Sequence, residues 1–321
     1  MGEAPRRHRP RRARRVAARG GDPVSPKIAL SGFAFDDYSP EDLLSFACDL
    51  GVVGIDYWPW NRGSHPIGTY RRLLDHAGMS VCCVNVPSGE IRLGGTERPE
   101  VSRRLVVGAM DDAVALGAPA VQVYCATPDV RTRAEAVAIL ADRLAPLLDE
   151  ARDRGLTVLV ENNLDQRRED GHGVNPSRSV ESLVALARRT GSDGLRICYD
   201  PANFVTVGEP AFPEAYERLR DHIGAVHAKD CVRFDETRRD DPAANRLLVD
   251  GLEGPFLPVV VGAGAVGWPA LIGRLAADGY DGWLVLDPFI DPELLALWCE
   301  TSMDAIRRLI AAAYGAETSD D

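Results

Sequence analysis

Four acidic or histidine residues each stand at the end of a short apolar run, and helix-length segments separate these runs. The four residues are Glu161, Asp200, His227 and Asp287. Carboxylates and an imidazole together suit a hard or borderline divalent cation. Apolar runs of this kind predict buried parallel strands, and polar residues at their C-terminal ends meet on one face of a (β/α)8 barrel. The spacing therefore predicts a metal centre built by four successive strands of such a barrel.

Each of the four residues also has a structural explanation when it is considered alone. Glu161 could simply reach solvent at its strand end, although a buried carboxylate there is costly unless it is paired or binds metal. Asp200 and Asp287 both precede proline, a pattern that also forms turns. A lone histidine at a strand end, such as His227, is more often structural. Four such strand ends in succession are harder to explain separately, and this favours one joint site.

Lys229 lies two residues after His227 and adds a cation to the group. The chain has only two lysines, Lys27 and Lys229, among its 37 basic residues. Because arginine stands at nearly every other basic position, a compact ammonium donor is indicated here. We therefore predict that Lys229 supports the site electrostatically.

The segments that must position these residues alternate between strand and helix. The predicted strands are residues 27–30, 54–57, 81–85, 120–124, 157–161, 195–200, 225–229 and 283–287. Eight such alternations predict a single (β/α)8 TIM barrel over residues 27–314. A doubly wound sheet is the alternative, but no GxGxxG turn follows the first strand. The stretch from Asp230 to Val266 is predicted to be a long insertion: a lid, a subunit contact or a surface loop.

The net charge and its distribution along the chain argue against one class of function, nucleic-acid binding. The 321 residues carry a net charge of −11, and residues 1–22 hold eight arginines against two acidic residues, which leaves −17 for the remainder. An acidic body argues against nucleic-acid binding, which needs a basic face. Residues 1–26 are predicted to be a disordered arginine-rich extension, because they offer no buried face. Residues 315–321 are predicted to be a flexible tail.

The apolar runs indicate the cellular location of the protein, and the number and spacing of its cysteines indicate whether disulfides form. No run approaches the ~18 apolar residues of a membrane span, and no apolar signal segment follows Arg14-Arg15. These features predict a cytoplasmic protein without a membrane partner. The seven scattered cysteines do not form a disulfide framework. The adjacent Cys82 and Cys83 lie in a predicted strand and are expected to point to opposite faces of it.

Further side chains could contact a small-molecule substrate. Trp58 and Trp60 follow the second strand and could provide an aromatic wall for a sugar face or a flat aglycone, or else pack at the barrel rim. His172, between glycines in the loop after the fifth strand, is a candidate acid/base or a solvent-exposed residue. Hydrogen-bonding candidates near the strand ends are Asn85, Gln122, Tyr124 and Asn203.

The motifs around these residues resemble the sugar phosphate isomerase/epimerase superfamily, the xylose isomerase-like TIM barrels, over residues 27–312. The matching segments are Val160-Glu161-Asn162, Tyr199-Asp200-Pro201-Ala202-Asn203, His227-Ala228-Lys229-Asp230, and Gly262-Ala263-Gly264 near Trp268. The resemblance implies that Glu161, Asp200 and His227 are metal ligands, with Asp287 at the position of the fourth.

Two positions depart from the family's pattern. The fourth ligand is usually glutamate, and Asp287 is one methylene shorter. In the family's ketose epimerases, two metal-bound glutamates exchange a proton on opposite faces of an enediolate, so both metal contact and proton transfer at Asp287 are open questions. Many members also carry a histidine two residues after the first glutamate, where this chain has Asn163. His172 is the candidate that could act in its place.

The resemblance implies a metal-dependent isomerase or epimerase of a keto sugar or polyol-derived substrate, which abstracts a proton α to a carbonyl through an enediolate. Glu161 is the expected general base, Lys229 its electrostatic support, and His172 and Asp287 further acid/base candidates. Mn²⁺ or Mg²⁺ is the expected cofactor, with Co²⁺ or Zn²⁺ as alternatives. The absence of an obvious basic phosphate cradle favours an unphosphorylated substrate.

Two other functions remain open. The same chemistry serves lyases: dehydratases of this superfamily, and C-glycoside deglycosidases that act on 3-keto glycosides. Deglycosidases of that kind pair with a small β-rich subunit, whereas an isomerase is expected to be a homo-oligomer. A non-catalytic sugar-binding barrel is the other alternative. A nuclease like endonuclease IV is disfavoured, because its trinuclear zinc site needs more histidines than this acidic body offers.

Overall fold

A computed structural model describes residues 25–87, 92–93, 99–125, 132–164, 175–191, 193–235, 249–251 and 254–315. The predicted N-terminal extension up to residue 24 and the predicted tail after Gly315 lie outside the described residues, so both stay predictions. His172 also lies outside the described residues.

Eight parallel strands close into a barrel. We number these barrel strands in chain order: β1 Lys27–Ser31, β2 Gly54–Tyr57, β3 Ser80–Asn85, β4 Ala120–Cys125, β5 Thr157–Glu161, β6 Leu195–Tyr199, β7 Ile223–Ala228 and β8 Trp283–Leu286. Each strand pairs with its neighbours in the chain, and β8 pairs with β1 to close the ring. The (β/α)8 prediction is confirmed, and the strand ends differ from the predicted ones by no more than two residues.

Helices surround the barrel. They are α1 Pro40–Leu50, α2 Ile67–Ala77, α3 Pro99–Leu116, α4 Arg133–Asp153, α5 Val180–Thr190, α6 Pro201–Thr206, α7 Tyr216–Leu219, α8 Trp268–Ala277 and α9 Leu295–Tyr314. The start of α1 shows why the sequence folds locally as it does, because the Ser39 hydroxyl accepts the Asp42 N–H at 3.1 Å and proline occupies the first helical position. The main apolar core lies between these helices and the outer faces of the strands. None of the described helices is long and apolar enough to span a bilayer.

The inside of the barrel contains a separate layer of mostly small buried side chains. Its members are Ala29, Cys82, Cys83, Ala120, Leu159, Cys198, Ala225 and Val285. Because side chains alternate along a strand, the residue two positions after the layer member on each of the last four strands points inward as well. Those four residues are Glu161, Asp200, His227 and Asp287. The period of the strands therefore places the chemical side chains directly above a layer of small ones.

Cys82 and Cys83 both belong to this interior layer, so the prediction that they point to opposite faces was wrong. Strict alternation fails locally, since the pairing of β2 with β3 shifts register between Ile55 and Asp56. Irregularities of this kind re-aim side chains next to functional sites.

The stretch after β7 has more structure than a simple loop. Its described parts form a three-stranded antiparallel sheet in the order Val249–Gly251, Gly254–Val259 and Asp230–Arg233. The Asp230 carboxylate accepts backbone N–H groups at 2.9–3.2 Å from Cys231, Gly262, Gly264 and Val266. Asp230 thereby fastens the glycine-rich segment that leads to α8.

Candidate metal centre

Glu161, Asp200, His227 and Asp287 converge at the C-terminal end of the barrel. One ligand atom from each of them lies within 4.8 Å of the others, and all four residues are buried. The His227 Nδ1 atom is 3.4 Å from Oε1 of Glu161 and 3.6 Å from Oδ2 of Asp287. The aspartate at position 287 therefore reaches the cluster in spite of its shorter side chain.

Lys229 adds a cation to the cluster. Its Nζ atom is 2.7 Å from Oδ2 of Asp200 and 3.1 Å from Oδ2 of Asp287. With His227 in the neutral form that binds metal, three carboxylates and one ammonium group leave a formal charge of −2 in a buried place, and a divalent cation would neutralise that charge. The His227 Nδ1 atom also has no hydrogen-bond partner among the described residues. The donor set and its charge therefore fit a divalent metal ion.

The electrostatics of the cluster follow from burial and from these pairs. Burial alone would raise the pKa of Asp287, but Lys229 and His227 outweigh it and lower that pKa. Burial raises the pKa of Asp200 in spite of the opposing effect of Lys229. Burial would lower the pKa of His227, but Cys198, Glu161 and Asp287 raise it well above its usual value. Lys229 and His227 thus stabilise the ionised form of Asp287, which is the form that binds a metal ion.

Amide side chains fix the first of these carboxylates. Gln122 Nε2 donates to Oε2 of Glu161 at 3.0 Å, and Asn203 Nδ2 donates to Oε1 at 3.1 Å. Asn203 Nδ2 also donates to the Asn162 carbonyl at 2.9 Å. Each oxygen of Glu161 is therefore held by a different strand end or helix, while Oε1 still faces His227.

Asp200 is held by its backbone and by a short helix. The Asn162 side chain accepts the Asp200 N–H and donates to the Asp200 carbonyl, both at 2.7 Å. The Asp200 carboxylate also accepts the Asn203 N–H at 3.0 Å, as the N-cap of α6. The turn that Asp-Pro indicated is thus present, but it is compatible with a place in the cluster, because the other carboxylate oxygen faces Lys229.

A cleft of about 900 Å³, counting space open to solvent, lies above the cluster. Four aromatic residues line it together with Glu161 and His227: Phe33, Trp58, Tyr124 and Phe289. The Trp58 ring lies 5.0 Å from the Phe33 ring, measured between ring centroids. A second, more apolar groove lies beside the cleft and shares Phe33 and Phe289 with it as a wall. The site therefore combines a polar floor with an aromatic side.

The predicted substrate-binding residues take different places. Trp58 and Asn203 line the cleft, whereas Trp60 lines the neighbouring groove. Asn85 is fully buried, and its amide is bonded to Asp56 and Tyr124, so protein groups occupy the hydrogen bonds that a substrate would need.

Sequence reasoning missed several residues of the site. Phe33 follows the first strand and Phe289 the last, and a search for aromatic residues after every predicted strand would have found both. Asn162 and Asp56 carried only a weak signal, since a polar residue near a strand end is common. Their partners are distant in sequence, 38 residues away for the Asp200 backbone and 29 residues away for the Asn85 side chain.

Comparisons with known proteins agree with this architecture. The family model described as xylose isomerase-like TIM barrel matches residues 44–310. A search of curated proteins found no match. Solved structures of similar fold include three whose chains are covered almost completely. The IOLI protein with a bound zinc atom is 14% identical with a TM-score of 0.72, and the match covers 90% of this chain and 99% of that one.

The other two carry activities in their descriptions. The probable 3-DHS dehydratase AsbF from Bacillus anthracis is 15% identical, with a TM-score of 0.67 and coverage of 88% of this chain and 98% of that one. The 3-keto-D-glucoside 4-epimerase YcjR from E. coli, in its apo form, is 17% identical, with a TM-score of 0.66 and coverage of 88% and 100%. Identities this low carry the fold alone. By the match of its sequence and its barrel, the chain belongs to the xylose isomerase-like TIM barrel family.

Proposed function

We propose that this protein is a divalent-metal-dependent isomerase or epimerase of a keto sugar or polyol-derived substrate. The observation that carries the proposal is the buried convergence of Glu161, Asp200, His227 and Asp287 below an open cleft. A buried acidic cluster that is only partly compensated by Lys229 is costly unless it has a function. The family includes epimerases and a dehydratase, which supports an enzyme rather than a structural barrel.

The position of each side chain in the cleft determines its role in the proposed reaction. Glu161 borders the cleft and takes a proton from the carbon next to a substrate carbonyl. In an isomerase its protonated carboxyl returns the proton to the neighbouring carbon, whereas an epimerase needs a second acid on the opposite face, for which Asp287 also borders the cleft. Lys229 also borders the cleft and places positive charge beside the carboxylates. Asn203 lines the same cleft with a carbonyl oxygen that has no partner among the described residues, and this oxygen accepts a substrate hydroxyl.

A divalent cation held by the four ligands supplies Lewis-acid polarisation of the carbonyl, which lowers the pKa of the neighbouring carbon-bound proton. We propose Mn²⁺ or Mg²⁺ as the natural ion, because three of the four donors are carboxylates. The imidazole also admits Co²⁺ or Zn²⁺, and the IOLI structure of similar fold holds zinc.

A specific observation favours a second candidate, a lyase of the same family. Phe33, Trp58 and Phe289 give the cleft an aromatic side that a small sugar alone does not need. A glycoside with a flat aglycone would place its sugar on the polar floor and its aglycone on these rings. After proton removal next to a 3-keto group, expulsion of the aglycone or of water would complete elimination.

The test combines metal analysis with proton exchange. Purified protein is loaded with Mn²⁺, freed of excess ion, analysed for metal, and incubated in D₂O with keto sugars and 3-keto glycosides under NMR observation. We expect about one metal per chain, and deuterium at the carbon next to the carbonyl. A retained carbon skeleton identifies an isomerase or epimerase, and released aglycone or water identifies the lyase.

Matched variants decide whether the proposed site is responsible. Glu161→Ala and His227→Ala should lose the metal while the barrel stays folded, and Asp221→Asn, a change at a side chain that is 87% exposed, should bind metal as the wild type does. Full metal retention in both site variants would overturn the proposal. Sugar binding without metal and without proton exchange would instead identify a non-catalytic binding barrel.

A further inference from the structure

A chain of hydrogen bonds runs across four neighbouring strands, from β2 to β5. It begins at Asp56 on β2, a carboxylate that is 1% exposed. Asn85, at the end of β3, donates from Nδ2 to Oδ1 of Asp56 at 2.7 Å and to the Tyr57 carbonyl at 3.3 Å. The register shift between Ile55 and Asp56 accompanies this contact. The amide of Asn85 is therefore oriented by the carboxylate of Asp56.

The chain continues through β4 to the candidate metal ligand. The Tyr124 hydroxyl donates to Oδ1 of Asn85 at 2.7 Å. Gln122 Nε2 donates one hydrogen to the Tyr124 hydroxyl at 2.9 Å and the other to Oε2 of Glu161 at 3.0 Å. Four hydrogen bonds thus connect two carboxylates that belong to different strands.

The chemistry of the two ends fixes the direction of every bond between them. Asp56 is ionised above its raised pKa of about 7, and in that form it can only accept hydrogen bonds, as the Glu161 carboxylate does. Asn85 must therefore turn its NH₂ towards Asp56, and its oxygen is left to accept from Tyr124. Gln122 must turn its NH₂ towards Glu161, and that same nitrogen donates to Tyr124. A reversal of either amide would place a carbonyl oxygen against a carboxylate, so the chain has one favourable arrangement.

Asp56, at the far end of this series of hydrogen bonds, takes no part in the proposed reaction. It does not line the cleft; it lines a different cavity, inside the barrel beneath the cluster. Asn85 likewise does not line the cleft. Neither residue can therefore act on the candidate site through contact with a ligand in the cleft. The hydrogen bonds are one route, and the charge of Asp56, which acts on His227, Asp287 and Glu161 through space, is the other, so a test must keep the net charge to separate them.

We propose that Asp56 is a positioning residue which, through Asn85, Tyr124 and Gln122, orients Glu161 for metal binding. The proposal rests on the proposed function, because it takes Glu161 as a ligand. Gln122 holds Oε2, and Oε1 is thereby left facing His227 at 3.4 Å. Partners behind a metal ligand commonly change metal affinity 10–100-fold when they are removed, because the ligand must then be ordered during binding.

The first test breaks the chain without a change of charge. Asn85→Leu removes all three hydrogen bonds of the amide in a residue of similar size. We expect the Kd for Mn²⁺, measured by titration calorimetry, to rise at least about tenfold. Cys83→Ala, a buried change in the same strand, controls for general loss of packing and should leave the Kd unchanged. An unchanged Kd in Asn85→Leu would overturn the proposal.

The second test moves the acceptor and keeps the net charge. In the double variant Asp56→Asn with Asn85→Asp, the new amide at position 56 donates to the new carboxylate at position 85, which still accepts from Tyr124. We expect this exchange to bind Mn²⁺ within about fivefold of the wild type, whereas Asp56→Leu binds at least about tenfold more weakly. If the double variant binds Mn²⁺ as weakly as Asp56→Leu does, the hydrogen bonds between positions 56 and 85 do not explain the effect of Asp56, and the proposal is contradicted.

Two further variants cover the cases in which the first ones fail to fold or the metal site itself is wrong. If Asn85→Leu or Asp56→Leu fails to fold, Tyr124→Phe breaks the chain at its middle with one atom removed, and the same loss of affinity is expected. Glu161→Ala separates the two proposals: if it retains metal, the metal site itself is wrong. If it loses metal while the chain variants bind normally, only the positioning role of Asp56 is wrong.

Discussion

The ammonium nitrogen of Lys229 lies 2.7 Å from Oδ2 of Asp200, in a pair with almost no exposure to solvent. The same nitrogen is 3.1 Å from Asp287, so one cation serves two of the candidate ligands. Asp200 and Asp287 are thus compensated even before a metal binds, whereas Glu161 has only amide partners and His227 as a neighbour. This arrangement explains how a buried acidic cluster is tolerated in the metal-free barrel.

Removal of that ammonium should make the protein more dependent on metal. In Lys229→Met the two aspartates lose their counter-charge, and loss of one partner of a buried pair costs roughly 3–5 kcal/mol of folding free energy. We expect a lower Tm in chelator and a larger rise in Tm on addition of Mn²⁺ than in the wild type. Lys27→Met, at the other lysine, which is exposed, is the control. Equal rises in Lys229→Met and wild type would show that Lys229 does not compensate the site.

The length of the side chain at position 287 can be tested directly. Asp287→Asn keeps the size but removes the charge, and we expect the Kd for Mn²⁺ to rise at least about tenfold, as for loss of a ligand. Asp287→Glu adds one methylene to a residue whose oxygen already lies 3.1 Å from Lys229. Affinity should therefore not improve in Asp287→Glu. A tighter Kd in that variant, by titration calorimetry, would show that the aspartate is too short for the ion.

The pH dependence of stability should report the buried carboxyl of Asp56. Burial raises its pKa from the ordinary 3.8 to about 7, so between these values the folded protein binds a proton that the unfolded chain has lost. Stability from this group is therefore lost as the pH rises from about 4 to about 7. Asp56→Asn removes this dependence. The free energy of unfolding of the variant minus that of the wild type should therefore rise by up to roughly 4 kcal/mol between about pH 4 and about pH 7. Urea titrations in chelator at several pH values measure this, and a constant difference would contradict it.

The aromatic side of the cleft should matter only to substrates with a flat group. Trp58→Phe reduces the ring that lines the cleft, and we expect a threefold to tenfold rise in KM for aryl 3-keto glycosides, with kcat little changed, on the basis of roughly 0.5–1.5 kcal/mol per aromatic contact. The KM for a methyl glycoside should not change. Asp36→Asn, at an exposed residue that lines the neighbouring groove and not the cleft, is the control. An equal KM effect on both substrates would argue against an aglycone position.

Asp230 should prove structural although it belongs to the same motif as His227. Its two oxygens accept four backbone N–H groups, and in Asp230→Asn one acceptor becomes an NH₂ group that faces two of them. We expect a loss of roughly 2–4 kcal/mol in unfolding free energy with an unchanged Kd for Mn²⁺. Gly264→Ala should also destabilise the protein, because a Cβ there would lie 2.0 Å from Oδ1 of Asp230. A large change in Kd with intact stability would instead assign Asp230 to the site.

Much of the candidate site could be predicted from the sequence because strand geometry is periodic. An apolar run fixes a strand, its last residue fixes the end of that strand, and parallel pairing brings successive ends together. Glu161, Asp200, His227 and Asp287 followed from this rule, and the structure brings all four together. The period failed at Cys82 and Cys83, where a register shift turns both side chains inward.

The contacts between distant strands were decided only by the tertiary structure. The amino-acid sequence determined the barrel, its eight strands and which residues end them, because these depend on local apolar pattern and spacing. The hydrogen bonds from Asp56 through Asn85 to Tyr124, and the pairing of Lys229 with Asp200, depend on strand register and on the closure of the ring. Strand register and ring closure are set by the packing of all eight strands together, so they cannot be read from any single segment of the chain.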